Sequence, residues 1–250
     1  MKTSVIRSLT KLGAVLSTTS LLLLAGQDST LADDSGNGLA PPNSHPFGKS
    51  YSQWAGQWWK WYLQLPLTNA AGAVHPAINA GQSAFDVTEG QRGEVWFLAA
   101  PFGTVSRTAT IPQGKALFFG LLNAEWSSLE GPTPYCSDNA DASCQSLTAS
   151  NFVNYIENLE CDIDGHPVAN LTAFRFPNAQ IKFTAPTPWI FGPTGGPATS
   201  SGDGYYIFLN ALSTGAPHTI HFKGDFAPPV GPAFFEMTYI ITVQPDDDEE

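Results

Sequence analysis

The chain has 250 residues, with 11 Lys or Arg, 22 Asp or Glu and a formal net charge of −11. Charged residues make up 13% of the chain, whereas aromatic residues reach 12%. The aromatic content excludes global disorder, and the negative charge argues against a nucleic-acid-binding protein, which needs a basic face. The composition therefore predicts an acidic, turn-rich globular protein.

The first 32 residues have the pattern of a secretory signal peptide. Lys2, Arg7 and Lys11 give a positive start, and an apolar stretch follows from Leu12 to Gly26. Small residues then precede the expected cleavage site. We therefore expect an exported protein that is secreted, periplasmic or attached to the cell surface.

The rest of the chain divides by composition into three segments. Residues 33–48 are rich in proline and predict an extended tether, and residues 245–250 predict an acidic, disordered tail. Residues 49–244 lie between them and predict a single domain. Outside the signal segment no apolar run reaches the ~20 residues of a membrane span, so we expect no transmembrane helix.

An amphipathic helix is predicted directly after the tether. Ser50 can cap its N-terminus and Pro66 can end it. Large apolar residues recur along it every three or four positions: Tyr51, Trp54, Trp58, Trp61 and Leu65. Such a stripe is more often core than a carbohydrate-stacking surface, so we expect it to be buried against a sheet. Trp59 lies off the stripe and is a candidate for ligand contact.

Short β-strand patterns dominate after this helix. Val95–Ala99 and Ala116–Leu122 are apolar runs that predict strands buried on both faces. The alternation from Phe235 to Val243 predicts a half-buried antiparallel strand, with the run His218–Phe222 as its natural partner. A second helix is predicted from about Leu147 to Leu159. Further strands are predicted near Phe174, near Ile181 and over Tyr205–Leu212.

These elements define the expected fold class. Many strands without a strand–helix–strand rhythm predict a mainly β protein. The expected architecture is an antiparallel β-sandwich or jelly roll with an N-terminal amphipathic helix and one further short helix.

The three cysteines allow one disulfide and one free thiol in an exported protein. Cys136 and Cys144 flank a short polar loop, and we favour this pair. Cys161 lies in a predicted strand, where a buried, unreactive thiol is expected.

Acidic residues before Gly165 have two interpretations. Glu160, Asp162 and Asp164 have the spacing of the first half of a calcium loop, but Leu171 occupies the position that needs a carboxylate. Alternatively, Asp164 and Gly165 form the two-residue turn of a β-hairpin, with the carboxylates on a solvated strand face. We favour the hairpin, and no metal site is predicted.

Two histidines are candidates for function. His218 and His221 lie three positions apart on a predicted strand, so they face opposite sides and should not share a metal ion. His218 is expected on the same face as Ile220, which is the core side. His221 is therefore the better candidate for a functional role.

Four further side chains are weak candidates for chemistry. Glu125, Asp203 and Glu236 are possible carboxylate partners for acid–base catalysis beside His221. Arg107 could bind an acidic ligand or tie two loops together, and we favour the structural role. The sequence has no nucleophile elbow, phosphate-binding glycine loop or dinucleotide motif, so no cofactor is predicted.

Five motifs in order give the chain a resemblance to a known family. They are WxxxWWxW from Trp54, GQxGxVWFL from Gly90, IPxGKA from Ile111, DGY from Asp203 and HTIHF from His218. The chain resembles an uncharacterised family of exported bacterial and archaeal proteins, usually described only as hypothetical secreted proteins, from about Ser50 to Val243. The resemblance implies a single recurrent unit, and it implies no activity or catalytic residues.

Three functional hypotheses follow. The first is an exported, noncatalytic β-sandwich protein that binds a surface glycan or a surface protein, or that belongs to the cell envelope or extracellular matrix. The second is a secreted polysaccharide hydrolase or lyase that uses carboxylates and a histidine in a groove. A metal-binding or redox protein ranks third. An acidic protein suits neutral or cationic partners, such as a neutral polysaccharide, rather than nucleic acid.

Overall fold

The computed structural model describes residues 38–78, 87–100, 103–231 and 233–245. The predicted signal peptide, the first residues of the predicted tether and the acidic tail from residue 246 onward lie outside the described residues. No helix in the described ranges has the length and apolar composition needed to cross a membrane.

Two helices and nine strands make up the described structure. In chain order they are α1 (Tyr51–Gln64), β1 (Val95–Leu98), β2 (Gly103–Pro112), β3 (Ala116–Ser127), α2 (Ala142–Val153), β4 (Ile156–Ile163), β5 (His166–Pro167), β6 (Ile181–Ala185), β7 (Gly196–Leu209), β8 (His218–Phe226) and β9 (Ala233–Gln244). Short 3₁₀ turns lie at Pro46–Gly48 and Leu171–Phe174.

The strands form two sheets, which confirms the predicted mainly β sandwich. The four-stranded sheet has the order β1-β3-β7-β6, and the five-stranded sheet has the order β2-β9-β8-β4-β5. The pairs β1–β3 and β2–β9 are parallel, so the sandwich is mixed rather than purely antiparallel. β1 and β3 can run parallel because β2, which lies between them in the chain, belongs to the other sheet.

The tryptophan-rich helix α1 forms as the sequence predicts. Ser50 and Gln53 make a reciprocal capping box, in which each side chain accepts a hydrogen bond from the backbone N–H of the other. The stripe residues are all buried: Tyr51, Trp54, Trp58, Trp61 and Leu65. Each burial stabilises the fold by about 2 kcal/mol. The helix packs on the outer face of the four-stranded sheet, where the Trp58 indole donates to the carbonyl of Leu98 at 2.8 Å.

Apolar side chains fill the space between the two sheets. Phe119 of β3 stacks on Phe222 of β8 with ring centroids 5.8 Å apart. Along β9 the buried residues alternate as predicted: Met237, Tyr239, Ile241 and Val243. β8 pairs with β9 in antiparallel register, which confirms the predicted partner.

The structure corrects the prediction for residues 142–163. α2 begins at Ala142, where the Asp141 side chain accepts a hydrogen bond from the backbone N–H of Cys144, and it ends at Val153. The residues from Ile156 onward form β4 instead of continuing the helix. Their apolar positions fit both periodicities, and pairing with β8 selects the strand because it buries Cys161 and Ile163.

Two other strand predictions also need correction. Phe174 ends a 3₁₀ turn rather than lying in a strand. The strand predicted over Tyr205–Leu212 is the second half of β7, which starts at Gly196 and ends at Leu209. The strand predicted near Ile181 is confirmed as β6.

The predicted disulfide between Cys136 and Cys144 is present, with 5.1 Å between the two Cα atoms. It joins the loop after β3 to the first turn of α2. Cys161 is a free, buried thiol in β4. Burial, together with the nearby charge of Asp162, raises the pKa of the Cys161 thiol to about 12, so the thiol stays protonated and unreactive.

The described part of the predicted tether lies against β7. Leu39 forms a bridge with Leu209, and the backbone N–H of Ala40 donates to the carbonyl of Phe208 at 2.9 Å. The Tyr51 hydroxyl donates to the carbonyl of Ala40 at 2.6 Å. These contacts fix the segment that leads into α1.

Candidate functional site

A cleft of about 330 Å³ lies beside α1 and combines aromatic walls with two carboxyl groups. Helix α1 contributes Trp58, Trp59 and Tyr62. Strand β3 contributes Glu125, and the loop that follows it contributes Glu130. An apolar cleft with a few convergent polar groups is the usual form of a small-molecule site.

A larger and shallower groove of about 800 Å³ lies along another side of α1. Its walls include exposed polar and charged side chains such as Gln57, Lys60 and Arg92. Among the described residues, no buried polar atom without a partner borders this groove. The smaller cleft, which Glu125 and its unpartnered buried oxygen line, is therefore the better candidate for a binding site.

A β-bulge shapes one wall of the cleft. The register between β3 and β7 shifts between Gly120 and Asn123. Bulges redirect side chains, and here the amide of Asn123 lies over Gly120, where a Cβ atom would collide with it. Gly202 on β7 leaves similar space for the Trp59 indole, whose N–H donates to the Tyr206 hydroxyl at 2.8 Å.

Aromatic rings form the walls and the mouth of the cleft. Trp58 and Tyr62 stack with ring centroids 5.0 Å apart. Phe191 lies 6.4 Å from Tyr62 and is 43% exposed, so it is available at the mouth. Phe152 of α2 and Phe235 of β9 complete the aromatic lining. Trp59, the predicted ligand-contact residue, also borders the cleft, although only 3% of its surface is exposed.

Glu125 and Glu130 form a carboxyl pair at the base of the cleft. Glu125 is 6% exposed, and its Oε2 accepts a hydrogen bond from the hydroxyl of Ser200. Its Oε1 is buried and has no hydrogen-bond partner among the described residues, and the charge of the nearby Glu130 acts on this carboxyl group. Oε2 of Glu130 accepts hydrogen bonds from the backbone N–H of Ser127 at 2.8 Å and from its hydroxyl at 2.9 Å.

This arrangement requires a proton on Glu125. Burial, and secondly the charge of Glu130, raises the pKa of Glu125 well above its usual range. Burial also raises the pKa of Glu130, but hydrogen bonds from Ser127 and from Glu125 oppose that shift. Glu125 is therefore the member of the pair that keeps its proton more readily.

Buried groups behind the cleft hold α1 in place. His75 is 1% exposed, and its Nε2 donates to the carbonyl of Tyr62 at 2.9 Å while its Nδ1 accepts from the backbone N–H of Ala77. Burial lowers the pKa of His75 to about 4, so the ring is neutral near pH 7. Arg107 donates to the carbonyls of Pro76 and Ile78, which places it as a tie to this loop.

Asp203 belongs to a separate, structural cluster. Its carboxylate accepts hydrogen bonds from Nε and Nη2 of Arg175, the shortest at 2.7 Å. Arg175 also donates to Asn154 and to Ser150 of α2. The cluster ties α2 to β7, and Asp203 has an ion-pair partner that the sequence does not indicate.

His221 and Glu236 meet on the outer face of the five-stranded sheet. Nδ1 of His221 lies 2.9 Å from the carboxylate of Asp162, and Nε2 lies 3.1 Å from the carboxylate of Glu236. Burial lowers the pKa of His221, but the hydrogen bonds and charges of the two carboxylates outweigh it and raise the pKa overall. In the described ranges, no group of His, Cys, Asp and Glu side chains is arranged to hold a metal ion.

The second histidine stabilises the hairpin turn. Nδ1 of His218 lies 2.7 Å from Oδ2 of Asp164, whose Oδ1 accepts the backbone N–H of Thr219. Asp164 and Gly165 both have positive φ, 53° and 76°, as a two-residue hairpin turn requires. Strands β4 and β5 pair around this turn, as the hairpin interpretation predicts.

The structure thus brings together only some of the candidate residues. Of the four acid–base candidates, His221 and Glu236 meet, whereas Glu125 lies in the cleft and Asp203 pairs with Arg175. Glu130 was not predicted. The spacing of Ser127 and Glu130 matches the S-x-x-E pattern, in which the glutamate folds back on the serine N–H, and this signal could have placed it.

Comparison with known proteins gave no match to this chain, whether with family models, with curated proteins or with solved structures.

Proposed function

We propose that the protein is an exported, noncatalytic β-sandwich protein that binds a surface glycan, or another extracellular partner, in the cleft beside α1. The observation that carries this proposal is the separation of Glu125 and Asp203 from the His221–Glu236 pair, combined with a cleft whose walls are aromatic. The pattern of residues 1–32 and the disulfide support export, because disulfides persist in oxidising compartments.

The cleft has the surface that saccharides and other amphipathic ligands need. Its aromatic rings offer apolar faces, and the side chains of Glu125, Glu130 and Asn123 offer hydrogen bonds. Its volume lies at the lower end of the usual range for ligand pockets. It therefore suits a short segment or an end group of a glycan rather than a long stretch of chain.

The carboxyl geometry argues against the alternative, a polysaccharide hydrolase. Glycosidases separate their two carboxyl groups by about 5–9 Å. Glu125 and Glu130 instead interact directly at the base of one cleft, where both carboxyl groups have a raised pKa because they are buried. His221 and Glu236 lie on the outer face of a sheet, and both ring nitrogens of His221 already contact carboxylates.

A binding screen combined with an activity assay tests the proposal. The protein from residue 33 onward is screened on a glycan array, and release of reducing sugar from the bound glycans is measured in parallel. We expect binding without sugar release. Release of sugar at a rate abolished by Glu125→Gln would replace the binding function with the hydrolase alternative.

Phe191→Ala locates the binding surface. Loss of the exposed ring at the mouth removes about 0.5–1.5 kcal/mol of aromatic contact, so we expect affinity to fall roughly threefold to tenfold. Phe234→Ala is the matched control, because Phe234 is 44% exposed and does not line the cleft. Equal affinity of the two variants, measured by calorimetry, would place binding elsewhere.

A further inference from the structure

The base of the cleft holds a buried acceptor that lacks a donor. Glu125 is 94% buried, and its Oε1 has no hydrogen-bond donor among the described residues. The residues lining the cleft include Glu125 and Glu130 but, within the described ranges, no Lys, Arg or His. The two carboxyl groups would therefore repel each other if both were ionised.

Other groups that face Glu125 do not supply a positive charge. Tyr62 from α1 and Tyr206 from β7 both lie near Glu125, and burial raises the pKa of each hydroxyl, so both stay neutral. Ser200 contributes a neutral hydroxyl to Oε2. Among the described residues, the charged group that acts on Glu125 is Glu130, and its sign is negative.

A ligand cation would complete this arrangement. An ammonium group has three N–H donors, so one group can serve Oε1 of Glu125 and the carboxylate of Glu130 together. Its charge also compensates two carboxylates at a site where, without it, only one is ionised. The aromatic faces of Trp58, Trp59 and Tyr62 further favour a cation through their ring quadrupoles.

We propose, on the basis of the proposed glycan-binding function, that the cleft binds an amino sugar whose primary ammonium group donates hydrogen bonds to Glu125 and Glu130. The apolar face of the pyranose ring packs on the aromatic wall, and the ammonium group takes the place of the proton on Glu125. That proton leaves to solvent, so the bound state holds two carboxylates and one ammonium group.

Calorimetry with a matched pair of ligands tests the proposal. The ligands are the β-1,4-linked glucosamine tetramer and the N-acetylglucosamine tetramer, which share a backbone but differ in charge. At pH 6 we expect the glucosamine tetramer to bind at least tenfold more tightly. Titrations in two buffers of different ionisation enthalpy should show the release of about one proton per bound ligand.

Variants show whether the carboxyl pair is responsible. Glu125→Gln keeps the shape and a donor toward Glu130 but has no proton to release, so the preference should fall to within about twofold and proton release should vanish. Glu157→Gln is the control, because Glu157 is exposed on β4 and does not line the cleft. If Glu125→Gln does not fold, Glu130→Gln tests the preference for the charged ligand alone, since Glu130 is less buried than Glu125.

The outcomes separate this inference from the proposed function. Equal affinity for the two tetramers, or a preference that survives Glu125→Gln, overturns the ammonium site while leaving glycan binding in place. Binding of a neutral glycan from the array without binding of either tetramer has the same meaning. Failure of all glycans to bind overturns both proposals.

Discussion

The cleft and the outer face of the five-stranded sheet both hold a pair of carboxyl groups, but the two pairs differ in burial and in the groups that surround them. In the cleft, Glu125 is 6% exposed and meets Glu130 without an intervening cation. On the outer face, His221 lies between Asp162 and Glu236, whose side chains are 33% and 32% exposed. In the cleft, burial favours the protonated form of Glu125, whereas on the outer face an imidazole bridges the two carboxylates.

The difference shows which region has unused binding capacity. On the outer face each histidine nitrogen already has a carboxylate partner, and water reaches all three groups. In the cleft, Oε1 of Glu125 has no donor within the described part of the chain, which is costly unless a proton or a ligand supplies one. The buried oxygen without a donor, rather than the number of acidic residues, therefore identifies the candidate site.

The largest expected difference between the two regions is in stability. Trp58 walls the cleft and is also part of the core, at 3% exposure. Trp58→Ala should lower the free energy of unfolding by about 3–5 kcal/mol because it leaves a cavity. Urea unfolding of Trp58→Ala beside Phe234→Ala checks this, since the exposed Phe234 should change stability by less than about 0.5 kcal/mol. Similar values for both would mean that the helix stripe is not core.

Local patterns predicted the elements that contain their own signals. The 3–4 spacing of apolar residues and the cap at Ser50 predicted α1, and strict alternation predicted β9. The boundary after α2 was wrong because Ile156 and Leu159 fit a helix as well as a strand. The left-handed residue Asn158 lies where β4 shifts register against β8, an irregularity that no simple period predicts.

The candidate site depends on contacts between distant residues, which a single sequence does not reveal. Glu125 was nominated, but Ser200 lies 75 positions away and defines its surroundings. Asp203 was nominated as a catalytic partner, and Arg175, 28 positions before it, makes it structural instead. Trp59 was singled out as off the stripe, and only the fold shows that the strand position opposite is a glycine.

A medium effect is expected from neutralising the buried carboxyl pair. A carboxyl group with a raised pKa in the folded state stabilises it least above that pKa, because the unfolded state ionises first. Glu125→Gln should therefore be more stable than the natural protein at pH 8, by about 1–3 kcal/mol.

The pH dependence makes this prediction specific. The advantage of Glu125→Gln should be absent below the ordinary glutamate pKa of about 4.3 and should grow as the pH rises from there toward the folded-state pKa. Glu157→Gln, on an exposed part of β4, should show no such growth. Thermal melts of the three proteins from pH 4 to pH 8 provide the measurement, and parallel curves would contradict the raised pKa of Glu125.

The smallest effect is expected on the outer face. The raised pKa of His221 means that its charged form is stabilised in the folded state. This contribution is complete below the unfolded-state pKa of about 6.5, and it is lost as the pH rises through the folded-state pKa. His221→Gln should therefore cost about 0.2–1 kcal/mol at pH 5.5, as partly exposed ion pairs do, and less at pH 9.

His45→Gln is the control for this measurement, because His45 is exposed and its side chain does not cap the 3₁₀ turn that follows it. Urea unfolding at both pH values compares the two variants with the natural protein. A cost for His221→Gln that is larger at pH 9 than at pH 5.5 would show that the imidazole stabilises the outer face in its neutral form. The cluster would then be held by a hydrogen bond from a neutral imidazole rather than by an ion pair.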